Sequence, residues 1–162
     1  MSLSKVISAE NKITFSEPSR DDLRYILSNL KAEDKKKTAN DLRYVLKTEN
    51  QLIDIWEKES VLKRLVKYNG NILFAFGLLK LKDNFGYSLW WEPTELCGKL
   101  KKTYGRASLM AADILKKEKK SIWTCTPKWY TQNIRATEHL GFSKVGEFLM
   151  YDEEYILFKM EK

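Results

Sequence analysis

The sequence predicts a single α/β domain, in which one mostly antiparallel sheet containing one parallel pair of strands is flanked by helices. A length of 162 residues suits one domain with its own core. Asn69-Gly70 separates two runs rich in strand-forming residues, and Asn-Gly supplies the two positive-φ positions of a tight hairpin turn. Farther along, a strand, a helix and a strand follow one another, which indicates a crossover connection between parallel strands.

The first part of the chain is predicted to form a short strand at 13–15 and then helices. Ser16 to Ser19 supply capping groups, and Asp21 and Asp22 suit the positive end of a helix. The inner stripe of that helix follows the i, i+3, i+4, i+7 spacing: Leu23, Ile26, Leu27 and Leu30. Residues 33–46 predict a second helix with Leu42, Val45 and Leu46 inside. Thr48 and Gln51 form a capping-box pattern for a further helical turn.

The rest of the chain is predicted to build the sheet. The Asn69-Gly70 hairpin joins strands at 61–68 and 71–81, and a third strand at 87–91 ends at Pro93, which gives a three-stranded antiparallel meander. Thr103 is expected to cap the next helix, and a strand at 121–125 stops at Pro127. A helix over 131–140 ends at Gly141 as a left-handed cap, before a terminal hairpin of 145–150 and 155–160.

Composition narrows the classes of partner and compartment. Lys and Arg number 29 against 22 Asp and Glu, so a net charge of +7 favours an anionic partner such as a nucleotide-bearing cofactor, a nucleic acid or an acidic surface. Two cysteines do not make a disulfide framework, and a reducing compartment is expected. No apolar run is long enough to cross a membrane, and one histidine with two separated cysteines predicts no metal site. We therefore expect a cytoplasmic protein.

The segment Lys102-Thr103-Tyr104-Gly105-Arg106-Ala107 has the pattern of a phosphate-binding turn that opens a helix. Backbone N–H groups at a helix start have no intrahelical partner, and the helix dipole is positive there. Gly105 and the small Ala107 would let a pyrophosphate approach closely, and Lys102 and Arg106 add positive charge.

These residues and the order of elements resemble the GNAT superfamily of N-acetyltransferases. The segment is similar to that family's Gln/Arg-x-x-Gly-x-Gly/Ala motif, and Asn133-Ile134-Arg135-Ala136 followed by Leu140-Gly141-Phe142 is similar to its Asn-x-x-Ala and Leu-Gly-Phe signature. The resemblance implies that acetyl-CoA is the co-substrate and that an amine, on a small molecule or a protein, is the acceptor. It also implies a cofactor site that includes Trp91 and Asn133.

Two residues are the catalytic candidates under this resemblance. Glu92 ends the central strand where the family's sheet opens, so it is the candidate base for the ammonium proton. Many family members carry a Tyr that protonates the departing thiolate, but Thr137 stands at that place here. Tyr130 is the substitute candidate for this acid.

Two other functions remain as alternatives. The long link between Trp90 and Gly105, together with the opening helix, resembles divergent GNAT-like proteins of tailed phages. This predicts a catalytically silent structural or accessory protein that contacts virion proteins, located in the host cytoplasm or in the virion. Nucleic-acid binding, suggested by lysine clusters near Trp129 and Tyr104, ranks last because no helix-turn-helix or ribonucleoprotein motif accompanies it.

Overall fold

The computed structural model describes residues 12–44 and 48–161. Their strands are Ile13–Ser16 (β1), Ser60–Tyr68 (β2), Asn71–Lys80 (β3), Tyr87–Pro93 (β4), Ile122–Pro127 (β5), Ser143–Met150 (β6) and Glu153–Met160 (β7). Their helices are Arg20–Ser28 (α1), Ala32–Tyr44 (α2), Glu49–Asp54 (α3), Leu96–Lys99 (α4), Lys101–Lys116 (α5) and Thr131–His139 (α6). These strands form one sheet in the order β1-β2-β3-β4-β5-β7-β6, in which only β4 and β5 are parallel. The predicted fold class is confirmed.

Local capping and turn chemistry fixes several element ends where the sequence predicts them. Ser19 and Asp22 exchange the two hydrogen bonds of a capping box at the start of α1, and Thr48 and Gln51 do the same for α3. Asn69 and Gly70 have φ of 52° and 78°, as the β2–β3 hairpin turn requires. Gly141 has a φ of 105° after α6, a conformation that favours glycine.

The start of α5 differs from the prediction. The helix begins at Lys101, and Leu100, its N-cap residue, makes no capping hydrogen bond with its side chain. Thr103 therefore lies inside the helix and is not its cap. The reason is the short helix α4: the Leu100 N–H already donates to the Leu96 carbonyl at 2.9 Å, so the chain turns helically before Thr103 is reached. Two predicted inner residues of α2, Val45 and Leu46, lie outside the described residues.

Two clusters of buried side chains cover the two faces of the sheet. On one face, α5 packs Ala107, Ala111 and Leu115 against strand residues such as Phe74 and Phe76. On the other face, α1 and α3 pack against strand residues of β2, β3 and β4, with Leu65, Ala75 and Trp90 at the contact. This two-faced burial follows from the period-2 alternation of side chains along each strand.

The parallel pair opens part of the way along the sheet. β4 and β5 are in register only at Tyr87–Ile122 and Ser88–Trp123. Farther on, β5 keeps pairing with β7 up to Pro127–Tyr155, and β4 keeps pairing with β3 up to Pro93–Phe74. The two strands therefore diverge toward their carboxyl ends, and a gap opens in the middle of the sheet.

Candidate functional site

A cavity of about 340 Å³ occupies the gap between β4 and β5. Its walls come from both faces of the sheet. Helices α5 and α6 line it on one face, α3 and the π-helical turn Ile55–Glu59 line it on the other, and α2 also contributes to its wall. The cavity therefore passes through the sheet, so that a molecule entering from one face can meet a molecule entering from the other.

One stripe of α5 faces the cavity: Lys101, Tyr104, Gly105 and Ser108, at the i, i+3, i+4, i+7 spacing of a helix face. A Cβ built on Gly105 would meet no other atom within 4 Å. The glycine thus leaves open space in the cavity wall.

Four of the predicted site residues lie together on the cavity wall: Trp91 and Glu92 on β4, Gly105 on α5 and Asn133 on α6. Three of the predicted cofactor residues do not line it. Lys102 and Arg106 are exposed on other sides of α5, and Ala107 is fully buried in the core. The sequence pattern of residues 102–107 predicts a turn, but the structure has these residues inside a helix, so their side chains point in different directions.

The positive end of α5 lies earlier than the motif predicted. It is formed by Leu100 and the first helical residues, beginning with Lys101, and Gly105 lies in the second turn. No side chain caps this end and no acidic residue lies in its first turn, while Lys99, Lys101 and Lys102 surround it. The helix dipole and these lysines favour an anion such as a diphosphate at this position.

Trp91 and Tyr104 fix the wall between β4 and α5. The Trp91 Nε1–H donates a hydrogen bond of 2.9 Å to the Tyr104 hydroxyl oxygen. The Trp91 ring stacks on Phe74 with the ring centroids 4.6 Å apart, which holds the indole against the core. Burial raises the pKa of Tyr104, so its hydroxyl keeps its proton.

Asn133 is held in place by two hydrogen bonds at the start of α6. Its side-chain Nδ2 donates to the Thr126 hydroxyl at 3.0 Å, and its backbone carbonyl accepts a 2.7 Å hydrogen bond from the Thr137 hydroxyl. Thr137, at the position where the sequence resemblance predicts a Tyr acid, therefore donates its hydroxyl proton to a backbone carbonyl inside its own helix.

The two predicted catalytic residues differ in their relation to the cavity. Glu92 is only 5% exposed and contributes to the wall near the carboxyl end of β4. Tyr130 is buried outside the set of lining residues, and its hydroxyl donates a 2.7 Å hydrogen bond to Asp34 Oδ2. Burial raises the pKa of Tyr130 as well.

Asp34 is a site residue that the sequence interpretation missed. It lies on α2, is 3% exposed, and lines the cavity. Burial raises the pKa of its carboxyl, against the opposing effects of Lys37 and of the Tyr130 hydrogen bond. From the sequence alone, its position within a lysine-rich run favours a solvated face. The sequence carries one opposing signal: Asp34 and Thr38 lie at i, i+4 on the helix face that continues to the predicted inner residue Leu42.

Other kinds of site find no support in the part of the chain that the structure describes. No group of three or more His, Cys, Asp or Glu residues there could hold a metal ion. No helix there is both long and apolar enough to cross a membrane.

The sheet order, the single parallel pair and the gap between its strands define the GNAT fold. A GNAT-family acetyltransferase from Bacillus anthracis has this fold at a TM-score of 0.68 and 14% identity, over 93% of this chain and 95% of its own. The ribosomal-protein-S18-alanine N-acetyltransferase from Escherichia coli matches at a TM-score of 0.65 and 15% identity, over 93% of this chain and 95% of its own. Salmonella typhimurium yncA, solved with its cofactor acetyl-CoA, matches at a TM-score of 0.62 and 12% identity, over 93% of this chain and 94% of its own.

At identities of 12–15%, the similarity to these solved structures establishes the fold of this chain. No protein-family model matches the chain, and no curated protein sequence matches it either.

Proposed function

We propose that this protein is an N-acetyltransferase that moves the acetyl group of acetyl-CoA to an amine acceptor. The observation that carries the proposal is the cavity that passes through the sheet between β4 and β5. A cationic helix end lies on one face of the sheet, and the buried carboxyl group of Glu92 lies toward the other. These are the two chemical environments that an anionic cofactor and a cationic amine require.

The α5 side of the cavity suits the cofactor. The diphosphate would bind the uncapped N-terminus of α5 beside Lys101. Beyond Ser88, β4 has no register partner on β5, so its backbone groups can pair with the two amide groups of the pantetheine arm, as an added strand would. Gly105 leaves room for this arm, because no atom lies within 4 Å of a Cβ built there.

Glu92 and Tyr104 would carry the two proton transfers. The amine nitrogen attacks the thioester carbonyl, the new C–N bond forms, and the C–S bond breaks. The proton lost by the amine passes to Glu92, and the departing thiolate takes a proton from a neighbouring acid. Tyr104 is better placed for that acid role than Tyr130, because Tyr104 lines the cavity while the Tyr130 hydroxyl binds Asp34.

Calorimetric titration with acetyl-CoA tests the cofactor site. Gly105→Trp would fill the cavity wall, and we expect it to weaken binding at least about 100-fold, since a large ring would occupy the space left for the pantetheine arm. Asp113→Trp is the matched control, because Asp113 is exposed on the same helix and does not line the cavity. Absence of binding by the unaltered protein at millimolar acetyl-CoA would refute the proposal.

Transfer needs its own measurement, since a silent scaffold of this fold could still bind the cofactor. Mass spectrometry of a panel of small amines and peptides, incubated with acetyl-CoA and protein, would reveal acetylated products. Binding without any product would favour the alternative of a structural or accessory protein.

A further inference from the structure

The indole of Trp91 on β4 is held by two aromatic rings of the neighbouring strand β3. It stacks on Phe74 with the ring centroids 4.6 Å apart and on Phe76 with the centroids 5.3 Å apart. Both phenylalanines are fully buried, so neither ring can move away without disturbing the packed core. The direction of the Trp91 Nε1–H bond is therefore fixed by packing against β3.

The side chain of Tyr104, near the start of α5, is held at two points. Its ring meets the Phe74 ring edge-on, with the centroids 5.4 Å apart and an interplanar angle of 67°. Its hydroxyl oxygen accepts the Trp91 Nε1–H at 2.9 Å. These contacts, at the ring and at the hydroxyl, fix where the phenol lies in the cavity wall that both residues line.

The hydrogen bond from Trp91 also restricts the Tyr104 proton. An indole N–H can only donate a hydrogen bond, whereas a phenol hydroxyl can both donate and accept. The Tyr104 oxygen is therefore the acceptor in this pair, and its own O–H bond has to point away from the indole. The contact thus leaves the Tyr104 proton available for a different acceptor.

The same hydrogen bond affects the acidity of Tyr104. Burial raises the pKa of Tyr104, and hydrogen bonds with Trp91 and Ser108 act in the opposite direction. A donor lowers the pKa in this way because its hydrogen bond is stronger to the charged phenolate than to the neutral phenol. A hydroxyl that accepts a hydrogen bond is also polarised toward stronger donation. Without the Trp91 N–H, Tyr104 would therefore be a weaker donor.

We infer that Trp91 is a positioning residue that keeps the Tyr104 proton available to the departing thiolate of CoA and strengthens its donation. This inference rests on the proposed acetyl transfer, in which Tyr104 supplies that proton. It gives β4 and α5 a task that the Thr137 hydroxyl does not perform, since that hydroxyl donates inside its own helix.

The pKa of the thiol of bound CoA tests the inference without any acceptor amine. The ultraviolet absorbance of the thiolate, followed as the pH of the complex is raised and with the protein alone as the blank, gives this pKa. A hydrogen bond from Tyr104 stabilises the thiolate, so we expect Tyr104→Phe to raise the thiol pKa by about 1. Trp91→Phe, which keeps a ring for stacking but lacks the N–H, should raise it by about half as much.

The double variant, Trp91→Phe with Tyr104→Phe, provides the decisive comparison. If Trp91 acts through Tyr104, the indole has no further effect once the hydroxyl is gone, and the double variant should have the same thiol pKa as Tyr104→Phe alone.

Trp123→Phe and Tyr25→Phe are the matched controls. The Trp123 Nε1–H donates a 3.0 Å hydrogen bond to the Phe85 carbonyl, Tyr25 is 50% exposed, and neither Trp123 nor Tyr25 lines the cavity. Both variants should leave the pKa of the bound thiol unchanged.

An unchanged thiol pKa in Tyr104→Phe would overturn the inference. So would a further rise in the double variant, or a Trp91→Phe protein that binds CoA more weakly at an unchanged thiol pKa, since Trp91 would then act directly or only support the wall. In these cases CoA still binds and the proposed function stands. Absence of CoA binding by the unaltered protein is a different outcome, which would refute the proposed function and this inference with it.

Discussion

The Tyr130 hydroxyl donates a 2.7 Å hydrogen bond to Oδ2 of Asp34, 96 positions earlier in the chain. This contact ties the segment before α6 to α2, at the side of the cavity that Asp34 lines. The Tyr130 ring also stacks on Trp129, with the ring centroids 5.4 Å apart. A buried carboxyl is thereby kept next to the candidate site by a hydrogen bond to one of its oxygens.

The raised pKa of Asp34 predicts a pH effect on stability. The native state holds this proton more tightly than the unfolded state, whose value is near 3.8. The contribution of Asp34 to the free energy of unfolding is therefore greatest at low pH, and it falls as the pH rises from about 3.8 through the higher native pKa. Asp34→Asn cannot titrate, so we expect its stability to exceed that of the unaltered protein by an increasing margin across this window.

Urea unfolding of both proteins between pH 4 and pH 8 measures this margin. Asp113→Asn, at an exposed carboxyl on α5, is the control and should show no such pH-dependent margin. A margin that stays constant with pH would show that the native pKa of Asp34 is not raised.

We predict that the stability of the fold requires glycine at position 77, because the Trp90 ring occupies the space that a side chain would need. A Cβ at Gly77 would lie 2.5 Å from the Trp90 ring. That ring cannot shift freely, because it stacks on Trp56 with the centroids 5.1 Å apart and donates a 2.9 Å hydrogen bond to Ser60. We expect Gly77→Ala to lower the free energy of unfolding by about 1–3 kcal/mol in urea denaturation.

Gly146→Ala is the control for this substitution. Gly146 is on edge strand β6, and a Cβ there would meet nothing within 4 Å. Its effect should be within about 1 kcal/mol of zero. An equal loss of stability in both variants would mean that the Trp90 contact is not the cause.

Glu92→Gln tests the proposed base. The amide keeps the shape of the side chain but cannot accept the ammonium proton, so we expect kcat to fall about 100-fold or more while the Kd for acetyl-CoA stays the same. Glu95→Gln is the matched control, because Glu95 is exposed and does not line the cavity. Steady-state kinetics with an identified acceptor measures kcat, and calorimetry measures the Kd for acetyl-CoA. An unchanged kcat in Glu92→Gln would exclude Glu92 as the base.

The two cysteines should differ in reactivity toward iodoacetamide at pH 8. Cys97 is 1% exposed, its thiol donates to the Leu73 carbonyl, and burial raises its pKa to about 12. Cys125 is partly exposed and lines the cavity between β4 and β5. Peptide mapping should therefore show label on Cys125 in the native protein and on Cys97 only in urea. Label on native Cys97 would contradict the burial described here.

Helix caps and turns that depend on residues close together in the chain could be predicted from the sequence. The capping groups of Ser16 to Ser19, the capping box at Thr48, the Asn69-Gly70 turn and the Gly141 cap each depend on a few adjacent positions. The structure has all four, with Ser19 as the residue that caps α1. Thr103 was the exception. Its capping pattern was overridden by α4, which had already started the helical path.

The sequence by itself determined the order of the strands and of the longer helices, and the parallel pair, because hydrophobic periodicity and turn chemistry depend on neighbouring residues. It did not reveal the short helix α4. Only the tertiary structure decided which side chains meet at the gap between β4 and β5. It turned Gly105 toward the cavity and Arg106 away from it, and it brought Asp34 from a lysine-rich run to Tyr130. Such contacts depend on how distant layers pack on the two faces of the sheet, and no local pattern specifies them.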